Sequence, residues 1–420
     1  VPTLNKIRSA LAGAMGRGSH SSRSTTAPSD PVQRLLRSAI TAFFALDGFL
    51  FAGWVVRIPA IKEQTGASPS ALGLALLGVS AGGVITMMLT GRLCHRFGNH
   101  VVTVASAGLL SVSVALPPLT HSAVSLGLVL LVFGAAYGGV NVAMNAAAVD
   151  LIAALRRPVM PSFHAAFSLG GMSGAALGGL LAGQLTPTRH LLLLTVAGLC
   201  VTAVAGRTLL KHRAPLPVPA ADTADPHAEQ PPQARTLTGR ARRPVLVLGL
   251  IAMCTAYGEG ALADWSALHL ADDLGAGPAL AAAGYSVFAL AMTAGRLSGT
   301  AMLERLGQSR ALVAGGLTAC AGMLLGALAP TVWLVLTGFV ITGLGLANLF
   351  PIAIARAGVL AGPSGVAAAS TLGYGGMLLG PVAIGFLAEW FSLTAALTTV
   401  ALLAAVAAAV ARVVRDTGAH

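Results

Sequence analysis

The sequence predicts an all-α integral membrane protein, with twelve transmembrane helices in two six-helix halves, and three observations carry that prediction. The 420-residue chain is 55% apolar and only 10% charged, with a mean hydropathy of +0.79. Its apolar residues fall into twelve successive segments, each near the roughly 20 residues that cross a bilayer as a helix. Short patterns in the first half return in the second at offsets of 205 to 211 residues. A soluble domain carries about 25% charged residues, so a water-soluble fold is excluded, and the apolar content excludes intrinsic disorder. The net charge of +12 would suit a nucleic-acid binder. So few charges overall fit loops beside a membrane better, and no nucleic-acid partner is expected. Cys94, Cys200, Cys254 and Cys320 form no CxxC pair and no His/Cys cluster, so neither a metal nor a redox motif is expected.

Residues 1–37 are polar, Ser/Arg-rich and interrupted by Pro28 and Pro31, and they read as a disordered cytoplasmic tail. Ile7 to Met15 is too short and too weakly apolar for a secretory h-region. Val1 in place of Met points to an alternative start codon or a trimmed chain. The predicted spans 1–6 cover 38–57, 71–91, 101–118, 124–148, 162–185 and 190–209, which make an N-terminal bundle over 38–209. Spans 7–12 cover 244–266, 280–300, 311–329, 332–355, 366–388 and 392–413, a C-terminal bundle over 244–413 followed by a cytoplasmic tail, 414–420. Residues 210–243 hold six prolines, or seven with Pro244, and charges of both signs, and they read as a solvated cytoplasmic linker.

With both termini inside, 23 of the 26 Lys and Arg residues fall on the cytoplasmic side, and only Arg57, Lys62 and Arg189 fall outside. That asymmetry sets the orientation in a cell (inner, cytoplasmic) membrane. Trp54, Trp265, Trp333 and Trp390 each land near the outer end of a predicted helix, where indoles anchor at the interface. Trp54 and Trp265 are also candidates for stacking on a substrate.

The repeat is visible in residues as well as in span count. Trp54 and Trp265 end the first span of each half, and Gly91-Arg-Leu-Cys-His95-Arg96-Phe-Gly98 is mirrored by Thr300-Ala-Met-Leu-Glu304-Arg305-Leu-Gly307. In the fifth spans Gly170-Gly171-Met172 matches Gly375-Gly376-Met377. Two halves of the same orientation imply parallel repeats with a solute site near the midplane between them. Twelve spans, a central cytoplasmic loop and a short basic Gly-x-x-x-[Asp]-Arg-x-Gly loop after spans 2 and 8 resemble the major facilitator superfamily from residue 38 to 413. The resemblance implies that this loop braces one conformation, which makes Gly91, Arg96, Gly98, Glu304, Arg305 and Gly307 conformational candidates. His95 stands where that family usually has Asp, Asn99 and His100 replace its usual basic pair, and Thr300 replaces Gly, so the first copy's charge network is weakened. Asn141-x-x-x-Asn145 followed by Ser162-Phe163-His164-x-x-Phe167-Ser168-x-Gly170 is similar to the fucose/hexose–proton symporter branch. It is closer still to a related group of bacterial inner-membrane facilitators.

An ionisable group inside hydrocarbon costs several kcal/mol unless it faces a cavity or a partner, so each one marks a candidate site. Asp47 sits halfway along span 1 with Phe43, Phe51 and Trp54 on its face. It can take up and release a proton as water reaches it from alternate sides, or it can serve packing alone. Tyr137, Asn141 and Asn145 form a stripe at i, i+4 and i+8 in span 4, suited to hydroxyl-rich ligands or to interhelical hydrogen bonds. His164 and Ser168, one turn apart, extend that stripe or relay a proton. Glu259 is the second proton-coupling acid, whereas Asp264, Asp272 and Asp273 read as a solvated acidic rim. Asn348, Ser370 and Tyr374 complete a polar lining. Arg57 either pairs with an acid as an outer gate or snorkels to the headgroups. Gly380 and Pro381 offer a small surface and a kink for rocking between conformations.

These residues lead to a secondary transporter, not an enzyme, that moves a small solute by alternating access. It needs no cofactor beyond a proton gradient, and its implied partners are the solute and the lipid bilayer, with no obligate protein partner. Import of a sugar-like polar solute by symport is the first reading, and proton-driven efflux of a drug or metabolite the second. A lipid-modifying enzyme would need a motif such as HExxH or GxxxxGK[ST], and neither is present. A sensor on the same scaffold would need a larger soluble domain than the 34-residue linker provides.

Overall fold

The structure, a computed structural model, describes residues 31–155, 159–212 and 242–417. Residues 1–30 of the expected tail over 1–37, 213–241 of the expected linker over 210–243 and 418–420 of the expected tail over 414–420 lie outside the described residues, whereas 31–37 and 414–417 are helical. All regular structure among the described residues is helical, and twelve helices are long and apolar enough to cross a membrane. Spans 1–6 run Pro31–Val55, Pro69–Met87, Asn99–Leu119, Ala123–Leu155, Ser162–Ala182 and Pro187–Lys211. Spans 7–12 run Arg242–Asp273, Pro278–Leu297, Ala301–Leu328, Val332–Gly362, Ser364–Trp390 and Leu393–Arg412.

Several helices begin before their apolar cores. Pro69, Pro187 and Pro278 stand in the first turn of theirs, where a missing N–H costs nothing. Ser68 and Thr186 cap two of them by accepting from the amides of Ala71 and Arg189. Hydropathy registers only the apolar stretch and passes over these polar starts.

The packing repeats between halves. Span 1 packs on span 5, span 2 on span 4 and span 3 on span 6; in the second half, span 7 packs on 11, 8 on 10 and 9 on 12. Across the halves, span 2 meets span 11 and span 5 meets span 8, a pair of contacts exchanged by the same two-fold. The repeated loops share a backbone signature as well, because Gly98 and Gly307 both adopt positive φ, 88° and 71°. A side chain there is strained, which explains why both copies keep glycine.

The packing corrects two sequence matches. Gly170 sits against the Ala45 carbonyl and Gly376 against that of Met253, while Gly174 and Gly380 face the carbonyls of Phe49 and Tyr257. Gly170 is therefore equivalent to Gly376, one residue beyond the Gly170–Gly375 alignment. The same register sets Phe51 opposite Glu259, so Trp54 and Trp265 are not equivalent. Backbone angles stay helical at Pro381, and the non-helical residues of the Leu349–Trp390 helix are Ala361 and Gly362, in the link between spans 10 and 11.

Small residues set the helix separations, because lipid offers no hydrophobic drive for helices to associate. A Cβ on Gly134 would strike the Val79 backbone, whereas one on Gly108 meets nothing within 4 Å. Gly134→Ala is expected to lower the thermal midpoint in detergent by the equivalent of about 1–3 kcal/mol of overpacking. Gly108→Ala, gaining helix propensity without a clash, should leave the midpoint unchanged or raise it.

Candidate functional site

A cavity of about 240 Å³ lies between the halves, walled by spans 1, 2, 4 and 5 on one side and 7, 8 and 11 on the other. An aromatic chain crosses it. Trp54 lies 6.3 Å from Phe133, Phe133 is stacked 6.5 Å from Tyr137, and Tyr137 is stacked 5.1 Å from Phe51. Phe51 then meets Tyr285 of the second half edge-on at 6.3 Å. Helical spacing on span 1 delivers Phe51 and Trp54 to this wall, as their position on one face anticipated.

Asp47 lies just behind the wall. It is 0% exposed, and neither carboxylate oxygen has a hydrogen-bond partner. Asn141 interacts with it without completing a bond of ordinary geometry, and Tyr137 feels its charge. Asn145 turns away, donating to the Asn141 carbonyl at 2.7 Å. The span 4 stripe therefore divides: Tyr137 lines the cavity, Asn141 faces the buried acid, and Asn145 is held by its own backbone.

On the opposite wall Glu259 is bridged through both oxygens by the Arg296 Nη2 at 3.1 and 3.2 Å. Sequence reading counted Arg296 only as a topology charge and did not single out Tyr285; one is a span-end cation, the other a lone phenol without a polar stripe. Asp264, expected in a solvated rim, lines the central cavity instead. Residues Arg242 to Leu268 form one unbroken helix, which carries Asp264 one turn beyond Gly260 on the cavity face. The two other aspartates of that set do lie farther out: Asp272 pairs with Lys62 at 2.6 Å, and Asp273 accepts from His269 and Thr394.

Ser168 and Tyr374 line the cavity. His164 is exposed outside it, edge-on to Phe44 at 5.3 Å. Asn348 donates to the Gly295 carbonyl at 2.8 Å, tying two helices of the second half together, and neither it nor Ser370 is among the lining residues. Trp54 and Trp265 are each 1% exposed and pack inside the protein, so the interface reading fails for both. Trp333 and Trp390, 69% and 70% exposed, are placed as anchors would be. Arg92, His95, Arg96, Glu304 and Arg305 of the repeated loops are exposed, with Arg96 over the Phe97 ring at 5.3 Å.

The halves are joined at one end. Lys62 meets Asp272, the Glu389 carboxylate accepts from the Ser70 amide at 3.0 Å, and Gly179 packs on Ala279 and Ala282. A hollow of about 500 Å³ at this end is lined by Lys62, Glu63 and Asp272 and has no aromatic wall, which makes it a vestibule outside the seal.

Arg57 takes neither expected role. It is 3% exposed, donates through Nε to His190 Nδ1 at 2.9 Å, and reaches the carbonyls of Leu181 and Ala182 at 3.3 Å. A cation there satisfies the last carbonyls of span 5 and complements the helix dipole. Burial lowers its guanidinium below the ordinary value, but arginine stays charged. Arg57→Lys loses the planar fork. It is expected to cost about 1–3 kcal/mol in thermal unfolding, as buried charged hydrogen bonds do when broken.

The Major Facilitator Superfamily family model matches residues 38–265 and 248–419. The chain is 34% identical to an uncharacterized MFS-type transporter of Yersinia pestis, over 89% of this chain and 94% of that protein. It is also 34% identical to the uncharacterized transporter y4wD of Sinorhizobium fredii, over 90% and 97%. Membrane protein MosC of Rhizobium meliloti is 30% identical over 88% and 87%. Among solved structures, the nucleoside transporter NupG superposes with a TM-score of 0.68 at 14% identity, covering 93% of this chain and 100% of that one. An inward-facing bacterial homologue of the human lysosomal transporter Spinster gives 0.70 at 15% identity, over 93% and 98%. Both likenesses are of fold. With the matched halves, the two-fold packing and a cavity where the halves meet, the chain belongs to the major facilitator superfamily.

Proposed function

We propose that the protein is a proton-coupled secondary transporter that moves a small polar solute across the cytoplasmic membrane by alternating access. The observation that carries this reading is Asp47, a wholly buried acid without a hydrogen-bond partner behind the cavity wall, facing Asn141 and Tyr137. A carboxylate held so is stable in hydrocarbon as the neutral acid and ionises only when water or a cation reaches it. Tyr137 links that event to the solute, since its ring lines the cavity and stacks on Phe51. The hydroxyls of Tyr137, Ser168 and Tyr374 suit a polar, sugar-like ligand. Glu259 serves as the partner of Arg296 in the opposite wall, and His164, outside the cavity, takes no part in this scheme.

The side on which basic residues crowd is cytoplasmic by the positive-inside rule, which puts both termini inside. The sealed end carrying Lys62 and Asp272 then faces outward and the repeated basic loops face inward, so the conformation is open to the cytoplasm. Rocking would break the contacts of span 2 with span 11 and of span 5 with span 8 and bring the repeated loops into play.

Proteoliposomes loaded with solute panels, with and without an imposed pH gradient, test the reading. Wild-type protein is expected to accumulate its substrate with the gradient, and Asp47→Asn to lose about tenfold or more of that accumulation while retaining exchange at equilibrium. Gradient-driven accumulation by Asp47→Asn would overturn the proposal. For the seal, Lys62→Glu sets like charges across the halves, and an exposed pair is worth about 0.2–1 kcal/mol. In a variant lacking the four native cysteines, a cysteine at Ser80 should therefore label about two- to fivefold faster with an impermeant reagent applied outside. Adding Asp272→Lys should reverse the increase.

A further inference from the structure

Three ionisable residues other than tyrosine line the central cavity: Glu259, Asp264 and Arg296. Arg296 is engaged with both oxygens of Glu259, so the pair presents little net charge to a ligand. Asp264 makes no hydrogen bond or ion pair with any described residue, and the phenol of Tyr285 feels its charge. The cavity therefore holds one carboxyl group without a counter-ion. Around it stand seven aromatic rings, from Phe51, Trp54, Tyr137, Phe167, Tyr285, Phe288 and Tyr374.

We infer that the cavity selects small organic monocations, namely amines or ammonium compounds, with Asp264 as counter-ion and the surrounding ring faces as a cation–π wall. The inference rests on the transport reading above and adds the chemical class of its substrate. A cation among these rings is held by a carboxylate at an effective dielectric below that of water and by ring quadrupoles at once. An anion would meet Asp264 and find the cavity's one guanidinium already satisfied. A neutral solute brings no charge to pair with Asp264 and gains nothing from its ionised form. The cationic ligand also holds Asp264 ionised, so bound amine and bound proton are alternatives at this carboxylate. The phenols of Tyr137 and Tyr374 remain for hydroxyl groups on the same ligand, and Ser80 and Ser168, which donate to the carbonyls of Met377 and His164, keep their oxygens as acceptors, which preserves the polar, sugar-like character of the first reading.

Binding to the purified full chain in detergent, without any gradient, tests this by ligand-induced thermal stabilisation. The probes are matched sets: ethanolamine, choline and glucosamine as cations, ethylene glycol and glucose as neutral counterparts, and glucuronate as the anion. At least one cation is expected to raise the midpoint while its neutral and anionic counterparts do not. Asp264→Asn should weaken that response by about tenfold or more in concentration, and Asp264→Glu should preserve the preference for cations. Equal stabilisation by the neutral compounds, a flat response to every cation, or an unchanged preference in folded Asp264→Asn would each overturn the inference. Because no gradient is present, the result is separate from proton coupling. Amine binding by a protein whose Asp47→Asn form still accumulates substrate would sink the coupling scheme and leave the cation site standing.

Discussion

Helices in hydrocarbon gain nothing from the hydrophobic effect by associating, so this protein is held together by how closely its backbones can approach. Everything else in the structure follows from the small residues that permit that approach. Gly170 and Gly174 of span 5 lie on the carbonyls of span 1, and Gly376 and Gly380 of span 11 do the same on span 7. Gly73 and Gly385 close span 2 onto span 11 at the sealed end, as Gly179 closes span 5 onto span 8. Contacts of this kind consist of van der Waals packing of modest depth, which can be released and re-formed as two rigid bundles rock. A hydrophobic interface of the soluble type would resist such exchange.

Against that background the few charges inside the protein divide by whether they have partners. Arg57 is saturated by His190 and two helix-end carbonyls, and Glu259 is bridged by Arg296. These groups fix geometry. Asp47 and Asp264 have no such partners, one sealed behind the wall and the other open to the cavity. Unpaired acids at membrane depth are costly to keep, and they are the groups whose charge can change with a proton or a ligand. Tyr137 and Tyr285 stand beside them, joined through Phe51 across the two halves. A change at either acid is thus felt in the ring stack that a solute would contact.

The two-fold relation also explains why the site is asymmetric in chemistry though symmetric in architecture. Equivalent positions carry Phe51 and Glu259, so one half supplies a ring where the other supplies a carboxylate. The repeat fixes where helices lie, and the divergence of residues at matched positions makes a site with rings on both walls and its carboxyl groups and guanidinium on one.

The class of protein, the number of spans, their repeat and the presence of Asp47, Tyr137 and Glu259 as polar residues in apolar helices were legible in the chain alone. Each depends on composition or on period along one helix, which is local information. The single-helix view could not say what meets what. Depth along span 7 made Asp264 look like a rim, whereas its face turns it into the cavity. Position near a helix end made Trp54 and Trp265 look like interface anchors, but the facing helices bury both. Arg57 had no visible acid nearby because its partners are carbonyls and a histidine more than 120 residues away. Arg296 was hidden by its place among the basic ends, and only the packing of span 8 beside span 7 brings it to Glu259. Sequence determined what each helix contains and how the helices repeat; the tertiary structure decided which side chains find partners, because in hydrocarbon partnership is a matter of distance between helices and not of position along one.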